Sequence, residues 1–215
     1  MIKVKVCCIS SIEEADLAIK MGADAIGLVS EMPSGPGVIS EDLIKKIAAE
    51  VPAEILTFLL TSRQNVSEII KQHKSCGTNT IQIVDSLIEG THEQLKEALP
   101  GINIVQVIHV NDERSIEEAV CISNYVDFIL LDSGNQKLKV KELGGTGRTH
   151  DWSISKEIVN SVKVPVFLAG GINPDNIKEA ADFVKPFGID LCSGVRTEGK
   201  LDELKLKKLF ENLNK

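Results

Sequence analysis

Short apolar runs and longer amphipathic stretches alternate along the whole chain. Runs rich in Val, Ile and Leu lie near 2–8, 24–29, 54–60, 79–84, 103–109, 126–131, 165–169 and 188–192. Compact runs of this kind read as strands buried on both faces. Between them, apolar positions recur at helical spacing near 11–21, 40–50, 65–75, 91–99, 114–122, 152–162, 174–184 and 203–212. Ser40 ahead of Glu41 and Asp42 marks one helix start, and Asn173-Pro174-Asp175 marks another. Eight strand–helix units without a composition break predict an α/β protein, a single (β/α)8 barrel spanning 1–215. An open doubly wound sheet is the alternative, although such sheets more often carry fewer strands.

In a barrel of this class the chemistry sits at the C-terminal ends of the strands. That rule selects Cys7, the loops at 30–39 and 61–64, and the segments 84–86, 109–112, 132–151, 170–173 and 193–200. The connection at 132–151 is the longest, and long connections in compact domains are usually functional.

Three turns near the end of the chain share one design: an apolar run, then glycines, then a helix start. They contain Gly144-Gly145-Thr146-Gly147, Gly170-Gly171 and Ser193-Gly194. Glycine lets backbone N–H groups approach an anion closely, and helix N-termini add positive field. Three such turns after strands six, seven and eight predict a phosphate site at the barrel mouth.

Strand alternation sets Lys3, Lys5 and Cys7 on one face and Val4, Val6 and Cys8 on the other. The first set is expected to face the barrel interior. A lysine there needs a carboxylate partner, for which Asp190 is a candidate. Cationic neighbours favour a Cys7 thiolate, a competent proton acceptor, though the position also suits a small buried apolar residue. Asp132 follows four apolar residues at the end of the sixth strand. A carboxyl at an apolar mouth serves well as a general acid; the alternative is a loop or helix-capping role.

Four arginines occur, and Arg63, Arg148 and Arg196 fall in loops on the expected active face. Arginine suits bidentate recognition of a carboxylate or phosphate, or it is ordinary loop charge. His109 and His150 lie near the same face without metal-ligand spacing, so no metal is expected. A net charge of −7 argues against nucleic acid or an anionic membrane as partner. Five cysteines without zinc-like pairing suit reduced thiols in a cytoplasmic protein. Both a monomer and a homodimer fit the pattern.

Several motifs together resemble the phosphoribosylanthranilate isomerase family of tryptophan biosynthesis. These are KVCCIS, ILLDSG, GGTGRTHDW, LAGGINPDNI and DLCSGV, in order across essentially the whole chain. The resemblance implies a cofactor-free (β/α)8 barrel that performs an Amadori rearrangement of a phosphorylated aminosugar. It implies that Cys7 is the general base and Asp132 the general acid. The departures cluster. Cys8 stands where the family usually has Gly, and Ser10 follows, where the family has a small hydroxyl or Asn. Pro36 occupies the place of an arginine expected to hold the anthranilate carboxylate. Val84 and Asp85 replace a His-Gly pair, and Arg196 stands where Glu is common. The sugar-phosphate half of the site thus matches, and the aglycone half is rebuilt, with Arg63 or Arg148 as candidate replacements for the missing cation. A related isomerase for another aminosugar phosphate and a non-catalytic sugar-phosphate binder are the alternative readings.

Overall fold

Eight parallel strands close on themselves in the order β1 to β8, each followed in sequence by a helix. The computed structural model describes residues 2–134, 140–145 and 147–213. The strands are β1 (Lys3–Val6), β2 (Ala25–Val29), β3 (Leu56–Thr61), β4 (Thr80–Ile83), β5 (Asn103–His109), β6 (Phe128–Asp132), β7 (Val166–Leu168) and β8 (Gly188–Leu191). The helices are α1 (Ile12–Lys20), α2 (Glu41–Glu50), α3 (Val66–Cys76), α4 (His92–Ala98), α5 (Arg114–Ile122), α6 (Trp152–Ser161), α7 (Ile177–Val184) and α8 (Glu203–Leu213). The closed barrel, rather than an open sheet, follows from β1 pairing with both β2 and β8.

Alternation along each strand sorts the core into two layers. One set faces the helices and includes Val4, Val6, Ile26, Leu28, Ile81, Ile83, Ile129 and Leu131. The other fills the barrel and includes Cys7, Phe58, Leu60, Val105, Val107, Leu130 and Phe167. At the N-terminal end the barrel is plugged by rings. Phe167 meets Phe58 edge-on at 5.8 Å and Phe187 at 5.6 Å between centroids. An aromatic plug keeps water out of the lower barrel and leaves the open end at the C-termini of the strands.

Of the inward-facing set on β1, Lys5 and Cys7 lie inside. Lys3 shares their parity but sits at the N-terminal rim, where its ammonium meets Asp24 at 2.8 Å and stays half exposed. Several of the helices start on side-chain caps. Ser11 accepts from the Glu14 N–H, Ser40 from Leu43, and Thr91 forms a reciprocal capping box with Gln94. Helix α7 begins at Ile177, later than the Asn173-Pro174-Asp175 signal suggests. Asn173 spends its side chain on a local turn, accepting from the Asp175 N–H at 2.9 Å, and the helix follows that turn. After β8 the chain makes a short 3-10 turn at Ser193–Val195 and a small antiparallel hairpin, β9 (Arg196–Thr197) with β10 (Lys200–Leu201). Nothing in the hydrophobic pattern announces this hairpin.

Among the described residues, no helix is long and apolar enough to cross a membrane.

Candidate active site

A cavity opens at the C-terminal ends of the strands. Its wall includes Cys7, Asp132, Gly144, Gly145, Gly147, Gly170, Gly171 and Ser193. Eight of the expected site residues, from four separate strand ends, therefore share one hollow. Gly194 stands just behind the wall. A Cβ at that position would come within 2.9 Å of the Asn173 Cα, so glycine is what lets the turn after β8 lie flat on the turn after β7. Thr146 lies outside the described residues.

Cys7 and Asp132 are both buried, at 5% and 7% exposure, yet each faces the cavity. Beneath them, Lys5 and Asp190 form an ion pair, Nζ to Oδ1 2.9 Å, between paired positions of β1 and β8. Lys5 also lies 4.8 Å from the centre of the Phe58 ring. Burial works against the Lys5 charge, but Asp190 and Cys7 outweigh it and hold the ammonium above its ordinary pKa. The Cys7 thiol sits below its ordinary value. The neighbouring Cys8 thiol lowers it most; burial opposes, and the Lys5 charge lowers it further. A thiolate-prone sulfur and a carboxyl therefore face one closed-off space, as proton transfer to and from a bound molecule requires.

The glycine turns have left-handed backbone at Gly145 (φ 67°), Gly147 (φ 70°), Gly170 (φ 83°) and Gly171 (φ 65°). Turns that pass through left-handed residues can set backbone N–H groups around a concavity of the kind that cradles anions. The loop after β2 crosses above. Ser34 donates to the Lys141 carbonyl at 2.6 Å, and Gly145 packs against Pro36 so closely that a Cβ there would lie 2.6 Å from the Pro36 Cδ. Cys8 closes the other side, its Sγ 3.7 Å from the Pro36 carbonyl oxygen. The loop thus spans from the end of β1 to the connection after β6.

The arginines take other places. Arg63 pairs with Glu41 at 3.2 Å and lines a shallow outer hollow beside Met32. Arg148 pairs with Glu142 and is largely exposed. Neither belongs to the cavity wall in this structure. Arg196 is a buried clamp. Its guanidinium meets Glu14 at 2.9 Å and donates to the carbonyls of Cys7 at 3.3 Å and Cys8 at 2.5 Å. Glu14 also accepts from the N–H groups of Ser10 and Leu201, at 3.0 and 2.8 Å. The pair therefore ties the backbone that carries Cys7 to α1 and to the hairpin. At the rebuilt end, Asp85 is buried and meets Lys141 at 2.5 Å.

His109 Nε2 donates to the Val84 carbonyl at 3.0 Å, and since a carbonyl only accepts, Nε2 carries the proton. His150 meets Ser155 at 2.6 Å. Among the described residues, no group of three or more His, Cys, Asp or Glu side chains is placed to hold a metal ion. Sequence reading did not place Asp190 and Cys192 in the site, yet both line it. The signal was present: they share the inward parity of β8 and its extension with Gly188.

The model for the family "N-(5'phosphoribosyl)anthranilate (PRA) isomerase" matches residues 4–212. N-(5'-phosphoribosyl)anthranilate isomerase 2 of Methanosarcina mazei is 36% identical over 211 residues, covering 95% of this chain and 90% of that protein. The crystal structure of phosphoribosyl anthranilate isomerase from Thermotoga maritima superposes with a TM-score of 0.82 at 28% identity, covering 100% of this chain and 99% of that one. A phosphoribosyl anthranilate isomerase solved in complex with reduced 1-(o-carboxyphenylamino)-1-deoxyribulose 5-phosphate superposes with a TM-score of 0.80 at 27% identity, covering 100% and 99%. The match runs through every strand end that builds the cavity, and the chain belongs to the N-(5'-phosphoribosyl)anthranilate isomerase family.

Proposed function

We propose that this protein isomerises N-(5'-phosphoribosyl)anthranilate to the 1-(o-carboxyphenylamino)-1-deoxyribulose 5-phosphate product, a step of tryptophan biosynthesis, with Cys7 as base and Asp132 as acid. The observation that carries this reading is that Cys7, Asp132 and three glycine-rich turns face one cavity in a chain of this family.

The chemistry follows from the geometry. The turns at Gly144–Gly147, Gly170-Gly171 and Ser193-Gly194 hold the phosphate and so fix the sugar in register. Asp132 gives a proton to the furanose ring oxygen, and the ring opens to an iminium. The Cys7 thiolate takes the proton from C2′, giving an enolamine that tautomerises to the ketone. Proton count is conserved: one proton enters at oxygen and one leaves from carbon. The lower barrel supports this by holding Lys5 charged behind the sulfur.

The anthranilate end has no cation on the cavity wall among the described residues. Arg63 and Arg148 remain the proposed carboxylate contacts, each exchanging an acid partner, Glu41 or Glu142, for the substrate. A cytoplasmic setting suits the five unbonded thiols. The deciding experiment follows the loss of phosphoribosylanthranilate fluorescence. Turnover abolished by Cys7→Ala and by Asp132→Ala is expected. No turnover by folded wild-type protein at high concentration would overturn the anthranilate assignment.

A further inference from the structure

Three sulfurs crowd one side of the cavity mouth. Cys7 and Cys8 end the first strand, and Cys192 ends the eighth. The Sγ atoms of Cys8 and Cys192 are 2.7 Å apart, across 184 residues of sequence. An S–S bond is about 2.05 Å, so closing it needs less than an ångström of movement. The Cys8 backbone is left-handed, φ 62°, a conformation unfavourable to a non-glycine residue. Arg196 holds that backbone in place through the Cys8 carbonyl, at 2.5 Å. Cys192 lines the cavity and is partly exposed, so a small solute entering the site meets it.

We infer that Cys8 and Cys192 form a thiol-oxidation site that takes small hydroperoxides and closes to a disulfide beside the catalytic cysteine. This inference does not rest on the proposed substrate. The steps balance. The Cys192 sulfur, losing its proton, attacks one peroxide oxygen: an S–O bond forms, the O–O bond breaks, and the leaving oxygen takes the proton and departs as water or an alcohol. The Cys8 sulfur then attacks Cys192: the S–S bond forms and the S–O bond breaks. The released hydroxide takes the Cys8 proton and leaves as water. Each sulfur gives up one electron, and the peroxide is reduced.

The link touches the chemistry directly. The Cys8 thiol, which helps hold the Cys7 thiol below its ordinary pKa, is consumed when the disulfide forms. The bond also pins the end of β1 to the turn that carries Ser193 and Gly194. Oxidised enzyme is therefore less active, and thiol reductants restore it.

The test uses the reduced wild-type chain treated with stoichiometric hydrogen peroxide, quenched by alkylation and digested for mass spectrometry. Two of the five thiols should disappear. The cross-linked peptide pair should map to Cys8 and Cys192, persist in Cys7→Ser, and vanish in both Cys8→Ser and Cys192→Ser. A link through Cys7, Cys76 or Cys121 in its place, or oxidation to sulfinic acid without a link, would overturn the inference. Because the readout is a covalent map, its failure is separate from any failure of the substrate assignment.

Discussion

Lys5 and Asp190 meet at 2.9 Å across paired positions of β1 and β8, inside the barrel and directly below Cys7. Lys5 is wholly buried. Removing one partner strands the other as an uncompensated charge, which typically costs about 3–5 kcal/mol. Lys5→Met should therefore lower unfolding stability by roughly that amount. The double variant Lys5→Met with Asp190→Leu should recover much of the loss, measured by urea unfolding. Additive losses in the double variant would show that the pair does not act as a unit.

With Cys7 as the proposed base, kcat/KM should rise with pH through the Cys7 pKa. That limb should lie below the ordinary thiol value of 9.0, because Cys8 and Lys5 favour the thiolate against burial. Cys8→Gly removes the largest favourable contribution and fits the left-handed backbone without strain. The limb should move upward in that variant. An unmoved limb would mean that Cys8 does not set the base.

A Cβ on Gly144 would stand 2.7 Å from Asp132 Oδ2, and the Gly144 backbone lies at φ 136°. Gly144→Ala should push the acid off its position. We expect kcat to fall about tenfold or more, equivalent to roughly 1.4 kcal/mol of barrier, with KM less affected. A variant with normal kcat would remove Asp132 from the role of positioned acid.

Arg63 and Arg148 each start in an ion pair with an acid. A charge-assisted hydrogen bond to a carboxylate is worth about 1.5–3 kcal/mol, so the arginine that holds the aglycone should raise KM about ten- to a hundredfold on truncation to Ala. Arg148 follows Gly147 of the cavity wall and is expected to show the larger effect. Unchanged KM in both variants would exclude these contacts.

Three histidines, His73, His92 and His150, are pushed below the ordinary value of 6.5, in each case chiefly by burial. The unfolded chain takes up protons near pH 6.5 while the folded chain resists until lower pH. Their contribution is therefore complete above about 6.5 and is lost as pH falls through the folded values. Urea midpoints should drop between pH 7 and pH 5. His73→Gln, which loses its titration, should flatten that slope, and equal slopes would count against the assignment.

Much of the barrel could be read from composition along each strand. A strand buried on both faces is apolar throughout, and its period of two sorts inside from outside without knowledge of the partner. This is why the inward position of Lys5, Cys7 and Asp132, and the pairing of Lys5 with Asp190, are legible in the sequence. The start of α7 is less legible, because the Asn173 side chain caps a turn ahead of the helix with the kind of contact that elsewhere marks a helix start. The hairpin at 196–201 was not legible, since two-residue strands carry too few positions to show a period.

By itself, the sequence determined the number and order of the strands, the inward parity of Cys7 and Asp132, and glycine at the three turns. Those features depend on local alternation and on backbone freedom at single residues. Only the tertiary structure decided that Arg196 is a buried clamp on the Cys7 and Cys8 carbonyls. It also decided that Arg63 and Arg148 rest against acids beyond the cavity wall, and that the sulfurs of Cys8 and Cys192 touch. Loop side chains have no periodic constraint. Their partners are set by barrel closure, which brings residues at opposite ends of the chain together.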